Sequence, residues 1–355
     1  MRTALRQVKR GGLTALKAAG AFGLVRESRW RDNRLLILCY HGVSLLDEHK
    51  QDPTLYVRPS LLAARLSWLR RDGYTVVSLG EGLERLAAGT LPQRSVCLTF
   101  DDGMYNFGAA ALPVLEQFRY PATVYLATYH VVHDEPVFHP LCSYLLRRAR
   151  GRVVDARASL GMDEVWDLRT YDGLLRAFHS VQRAVERLSL GCAEKTAFAG
   201  RIAAQLGVDF EPLMTLRMFH LLRPDEVTGL ARRGVAFELH THRHRVPLDR
   251  DLFLRELRDN RSHLVDMVGY APSHFCYPSG YWRPEFLPWL QEAGVRSATT
   301  GEPGIAARSS DPLLLPRVLD SECITPIEFE GWLTGLPFRF QRAHRNGHQN
   351  GNGAS

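Results

Sequence analysis

The chain has 355 residues, enough to bury one barrel-sized core with additions or two smaller cores. Its 45% hydrophobic and 23% charged content is that of a soluble globular protein and excludes a mostly disordered chain. The formal charge of +7 is concentrated in the first 34 residues, where Arg2, Arg6, Lys9, Arg10, Lys17, Arg26, Arg29, Arg31 and Arg34 face only Glu27 and Asp32, so a local basic segment is expected and no nucleic-acid partner.

Residues 1–25 begin like a secretory signal, but the stretch that follows is rich in Gly and Ala and is interrupted by Lys17. On a helical wheel Leu5, Val8, Ala15, Leu16, Ala19 and Phe22 share one side, and the basic residues share the other. Such a helix suits an anionic membrane surface or packing against the body of the protein, and Gly11-Gly12 weakens it in either setting. The first core strand is Leu35–Tyr40, closed by His41-Gly42. A helix at Pro59–Arg71, a strand at Thr75–Leu79, a helix at Glu81–Ala88 and a strand at Ser95–Phe100 follow. This last strand runs directly into Asp101-Asp102-Gly103. Two carboxylates aimed at one cleft make chemical sense if a metal ion holds one and leaves the other free as a base. Read in isolation, the same residues would merely start a turn.

Asn106–Phe118 reads as a helix and Ala122–Thr128 as a strand. The strand–helix alternation implies a parallel sheet. It stops between about 130 and 222, where helical patterns at Leu141–Arg150, Asp172–Leu188 and Ala193–Leu206 suggest an insertion carried on one loop at the active end of a barrel. Alternation resumes with a helix at Pro224–Arg233 and a strand from Ala236 that runs into His240-Thr241-His242-Arg243-His244. His240 and His244 are four apart, so one helical turn would bring both rings to one face. Two imidazoles at that spacing can share a divalent ion, with Asp102 as an oxygen ligand. A helix at Asp251–Val268 and strands at His274–Tyr277, Ser297–Thr300 and Leu313–Val318 complete an α/β fold, a distorted TIM-like barrel of seven or eight (β/α) units with a mostly helical insertion. The expected organisation is a basic amphipathic segment over 1–34, the barrel over 35–337 and a disordered polar tail over 338–355. The six cysteines are scattered, with Cys39, Cys97 and Cys276 in apolar strands as small hydrophobes. No disulfide framework is indicated, and a reducing compartment fits.

These stretches resemble the NodB-homology polysaccharide deacetylases, carbohydrate esterase family four. Thr99-Phe100-Asp101-Asp102-Gly103 is similar to the family's first motif, His240-Thr241-x-x-His244 to its second and Phe275-x-x-Pro278-x-Gly280 to its third. The resemblance implies hydrolytic removal of acetyl groups from N-acetylated sugars of a bacterial surface polysaccharide, or of its lipid-linked precursor. One divalent ion, zinc or cobalt, would be held by Asp102, His240 and His244, with Asp101 as general base and the backbone N–H of Ser279 facing the oxyanion. Two parts depart from the pattern. Cys276 stands where an arginine usually pairs with the base, and Arg317 is the candidate substitute. The late histidine that serves as general acid is missing, and His41 is the candidate in its place. Alternatives are another metal-dependent hydrolase using His242 with His240 or His244, or a catalytically impaired glycan-binding barrel. A cytoplasmic location, peripheral on the inner membrane, is expected if residues 1–25 bind lipid.

Overall fold

The computed structural model describes residues 2–157 and 162–339. Seven parallel strands form its centre: β1 (Arg34–Tyr40), β2 (Ser95–Phe100), β3 (Thr123–Leu126), β4 (Ala236–Leu239), β5 (His274–Cys276), β6 (Ser297–Thr299) and β7 (Val318–Leu319). The first six lie side by side in chain order, and β7 joins the other side of β1 through Leu38↔Val318 and Cys39↔Leu319, beside Ala306–Ala307, which pairs antiparallel with the start of β1. Just upstream, Leu315 pairs in parallel with Thr299, and Leu315 N–H donates to Ala298 O at 2.8 Å. Residues 312–319 therefore bridge β6 to β1 and close the curled sheet into a distorted (β/α) barrel. The sequence pattern suggested one continuous strand over Leu313–Val318. Pro316 has no N–H to give a ladder, so the segment pairs with β6 first and with β1 only beyond the proline.

The strands are apolar runs without alternation because both faces are covered. Every residue of β1 after Arg34 is buried, as is all of β2. Helices cover the outside at Pro59–Arg71, Leu79–Ala88, Leu112–Phe118, Pro224–Arg232, Arg250–Val268, Phe286–Glu292 and Pro326–Thr334. Local chemistry sets their ends. Ser78 Oγ accepts from Glu81 N–H at 3.3 Å, and Gly89 leaves the same helix at φ 71°. That cap also cuts the expected strand over Thr75–Leu79 to Thr75–Val76, paired with the start of β2.

Between β3 and β4 lies the insertion, with helices at Tyr129–His133, Phe138–Arg148, Tyr171–Arg187, Cys192–Leu206 and Glu211–Thr215. It also holds a short antiparallel hairpin, Val153–Asp155 with Val165–Asp167, which the helical periodicity around it concealed. Buried residues from the insertion, including Trp166, Phe198 and Ile202, belong to the same apolar core as the barrel.

The N-terminal helix forms over Arg2–Ala18 despite its two glycines. It packs beside Pro326–Thr334. Leu13, Phe22 and Val25 are buried with Leu336, while Arg10 pairs with Glu328 and Lys17 with Glu330. Apolar side chains of this segment also stay in solvent, Val8 on that helix at 73% and Leu24 on the next short helix, Ala21–Arg26, at 76% exposed. No helix among the described residues is long and apolar enough to cross a membrane. Of the expected tail, Phe338 is buried in a final turn, and residues 340–355 lie outside the described residues.

Candidate active site

The C-terminal ends of β1, β2, β4, β5 and β7 surround one cleft. Asp101 and Asp102 follow β2, and neighbouring side chains of an extended strand would point to opposite sides. The chain resolves this by turning: Asp102 has φ 69° and Gly103 φ 81°, so both carboxylates line the same space. Only glycine fits after the pair. A Cβ at Gly103 would stand 1.9 Å from Leu126 Cδ1, in a backbone region that L residues avoid.

His240 and His244 do not share a helical turn. They sit on an irregular loop with two left-handed residues, Thr241 at φ 62° and His244 at φ 54°. The left-handed positions bring the ring centroids to 4.9 Å. Thr241 Oγ1 accepts from Arg245 N–H at 3.0 Å, which ties the loop across its own turn. Glu256, buried on the helix Arg250–Val268, clasps it from outside by accepting from Arg243 N–H at 2.7 Å and Arg245 Nε at 2.9 Å. Asn260, one turn further, accepts from His240 N–H at 2.9 Å and donates to Leu126 O at 2.9 Å, joining the loop to β3. Both residues escaped the sequence reading. Their signal was two polar side chains falling in step with Phe253, Leu257 and Leu264, the buried face of that helix.

Asp102 Oδ1 is 3.2 Å from Nε2 of both His240 and His244. His240 Nδ1 lies 2.9 Å from Cys276 O, an acceptor only, so this nitrogen carries the hydrogen. Nε2 then faces the carboxylate oxygen, and as a lone pair it would set two acceptors against each other unless a cation lay between them. A set of two imidazole lone pairs and one carboxylate, with ligand atoms within 4.8 Å of one another, suits a divalent cation. Burial raises the Asp102 carboxyl, but the charge of His244, hydrogen bonding at His240 and His244 and the charge of His41 outweigh it and hold it well below the usual carboxylate range.

Asp101 is built differently. It is 2% exposed and receives a bidentate pair from Arg317, with Nη1 to Oδ1 at 2.8 Å and Nη2 to Oδ2 at 2.6 Å. Arg317 Nε donates to Thr300 O at 2.8 Å and Nη2 to Cys276 Sγ at 3.0 Å, so the guanidinium is fixed on three sides. The thiols of Cys276 and Cys39 lie 3.5 and 3.6 Å from Oδ2. Cysteines read as strand hydrophobes are thus also neighbours of the carboxylate; Cys39's place two residues before His41 carried that information. Burial pushes the Asp101 pKa up, and the charges of Arg317 and His41 overcome it, leaving about 2. His41 Nε2 is 3.8 Å from Asp101 Oδ2 at the cleft wall. Ser279 lines the same cleft in a left-handed turn at φ 57°.

His242 points elsewhere. Its Nδ1 is 2.9 Å from Thr128 Oγ1 and its ring stacks on His263 at 5.1 Å. A metal pair built on His242 is therefore not formed, and His274 is likewise occupied, 2.8 Å from Ser297 Oγ.

A (β/α) barrel whose strand ends gather a carboxylate, two imidazoles and a separately held second carboxylate has the donor set of a candidate metal-dependent hydrolase site. The chain belongs to the polysaccharide deacetylase family, whose model matches residues 88–158 and 176–298. The poly-beta-1,6-N-acetyl-D-glucosamine N-deacetylase of Escherichia coli K12 is 36% identical over 100 residues, 28% of this chain and 15% of that protein. That of Staphylococcus epidermidis is 28% identical over 116 residues, 30% of this chain and 40% of that protein. The matches thus span well under two thirds of either relative. Among solved structures, the Streptococcus pyogenes deacetylase PplD in complex with acetate superposes with a TM-score of 0.56 at 18% identity, over 84% of this chain and 98% of that one. IcaB from Ammonifex degensii gives 0.54 at 18% identity, over 85% and 97%. At this identity the structural likeness establishes the shared barrel.

Proposed function

We propose that this chain hydrolyses the N-acetyl amide of an amino sugar in a bacterial surface glycan or its lipid-linked precursor. The observation that carries the reading is the division of labour between the adjacent carboxylates. Asp102 is joined to two imidazoles, while Asp101 is held apart by Arg317 and free to accept a proton. Asp102, His240 and His244 would hold a divalent ion, zinc in the first instance, which would supply Lewis acidity toward the acetyl carbonyl and lower the pKa of a water. Asp101 is ionised at neutral pH and takes the proton as the water oxygen bonds to the carbonyl carbon. Ser279 offers its backbone N–H to the oxygen on which charge develops. His41, on the Asp101 side of the cleft, gives a proton to the nitrogen as the C–N bond breaks, leaving acetate and a free amine.

The name of the curated relatives supports an N-acetylglucosamine polymer as the first substrate to test. An acetate-release screen over N-acetylated glycans, with Asp101→Asn as control and metal content measured in both proteins, decides the matter. Release that Asp101→Asn abolishes without losing metal is the expected result. Metal-free protein that binds glycan but releases no acetate when zinc is added would establish the glycan-binding alternative.

A peripheral position on the inner membrane, facing the cytoplasm, is part of the same proposal. It is supported by exposed Val8, Leu16 and Leu24 among the basic residues of the N-terminal segment. Flotation with anionic liposomes tests it: Val8→Asp with Leu24→Asp should lower the bound fraction, and equal partitioning would refute membrane contact.

A further inference from the structure

The cleft does not end at the metal-ligand set. It encloses about 910 Å³ and continues between the insertion helices Phe138–Arg148 and Tyr171–Arg187. On the second helix its wall consists of Tyr171, Leu174, Leu175, Phe178, Gln182 and Val185. These positions recur at i, i+3, i+4, i+7, i+11 and i+14, a single stripe along the helix. At 1.5 Å per residue the stripe is about 21 Å long. Phe138 and Leu146 of the first helix line the same space. Leu175 remains 38% exposed and Tyr171 62%, so the stripe is open at its surface.

Tyr171 and Gln182 are the only polar side chains of this stripe, so this side of the cleft suits a hydrocarbon better than a polysaccharide, whose hydroxyls would lose water against it for few acceptors. Charge narrows the choice further. Arg150 and Lys195 line the cleft, and among the described residues neither has a carboxylate partner. The other arginines of the wall are taken, Arg147 by Asp52 at 3.5 Å, Arg243 by Glu256 at 3.2 Å and Arg317 by Asp101 at 2.6 Å. An apolar trough with two unpaired cations, opening on a hydrolytic centre, matches an anionic amphiphile.

We propose that the trough holds the single long hydrocarbon chain of a lipid-linked sugar phosphate. The N-acetyl sugar would then lie at Asp102, His240 and His244, and the phosphate would fall within reach of Arg150 or Lys195. This rests on the deacetylase reading and narrows its acceptor from a finished polymer to a membrane-borne precursor.

Two measurements on the zinc-loaded full chain test it. The first compares kcat/KM for acetate release from polyisoprenyl-phosphate-linked N-acetylglucosamine in detergent micelles and from a water-soluble N-acetylglucosamine oligomer. The lipid-linked substrate should be preferred by about tenfold or more. Leu175→Asp should cut that preference about tenfold, chiefly through KM. Lys195→Glu should act in the same direction, and Val265→Asp, an exposed position outside the cleft lining, should leave the ratio unchanged. The second measures displacement of a fluorescent fatty-acid probe by polyisoprenyl phosphate, without turnover. Displacement from the wild type and its loss in Leu175→Asp support the trough. Equal or better turnover of the soluble oligomer, with a ratio insensitive to Leu175 and Lys195, overturns it. If neither substrate releases acetate, the deacetylase reading fails, and the displacement result alone decides for or against the lipid trough.

Discussion

Arg317→Met gives the sharpest test of how the base is held. The substitution keeps an unbranched but shorter apolar stem and removes the charge, two bonds to Asp101, the bond to Thr300 O and the bond to Cys276 Sγ. Asp101, 2% exposed, is left with two thiols beyond 3.4 Å and His41 at 3.8 Å. Breaking one side of a buried pair costs about 3–5 kcal/mol. For a chain of 355 residues the unfolding entropy is about 0.7 kcal/mol/K, so Tm should fall by roughly 6 °C. The chemistry should suffer separately. Asp101 sits at about 2 because Arg317 and His41 overcome the burial that favours the neutral acid; without the arginine the pKa rises. A base protonated over part of the working range implies about a 100-fold loss in kcat/KM near neutrality, partly regained as pH increases. Arg317→Lys restores the charge but not the fork and should recover stability more than turnover. Calorimetry, acetate-release profiles against pH and metal analysis together check the set. Wild-type Tm and an unmoved acidic limb in Arg317→Met would refute the reasoning.

Glu256→Gln removes the charge that clasps the metal-ligand loop, so zinc affinity should drop about 10- to 100-fold in competition titrations while the barrel keeps its circular-dichroism spectrum. His41→Gln should lower kcat strongly with metal content unchanged; undiminished turnover would end the acid role assigned to it. Buried His274 has its pKa pressed from 6.5 to about 4 by burial and Arg296, so the unfolded chain takes up a proton that the folded one refuses. Its contribution to stability is intact above pH 6.5 and is lost as pH falls toward 4, by at most about 3 kcal/mol. His274→Gln should flatten the decline of Tm over that window.

The strands and most helices were legible because their determinants are local. Ser95–Phe100 is an unbroken apolar run, and Pro59–Arg71 begins with a proline and carries its apolar residues at helical spacing. The adjacent carboxylates and the paired histidines stood out for the same reason, as short strings at strand ends. What periodicity missed depends on distant partners. The route of residues 312–319 is set by two edges separated by most of the chain, and Pro316 disguises it. The helical turn expected for His240 and His244 gave way to a loop because Glu256 and Asn260, on the next helix, take its backbone donors. The thiols of Cys39 and Cys276 look like packing until Arg317 draws the carboxylate between them.

The segment that closes the barrel also brings Arg317 to Asp101, 216 residues earlier in the chain. During synthesis the ligand positions and the second carboxylate emerge first, and the guanidinium arrives last. Until then Asp101 lacks its guanidinium partner, and residues 312–319 have not yet joined Thr299 to β1. A nascent chain stalled before residue 312 would carry Asp102, His240 and His244, the proposed metal ligands, together with an Asp101 that lacks its arginine, so acetate release by the proposed reaction would be expected only after this last segment has docked.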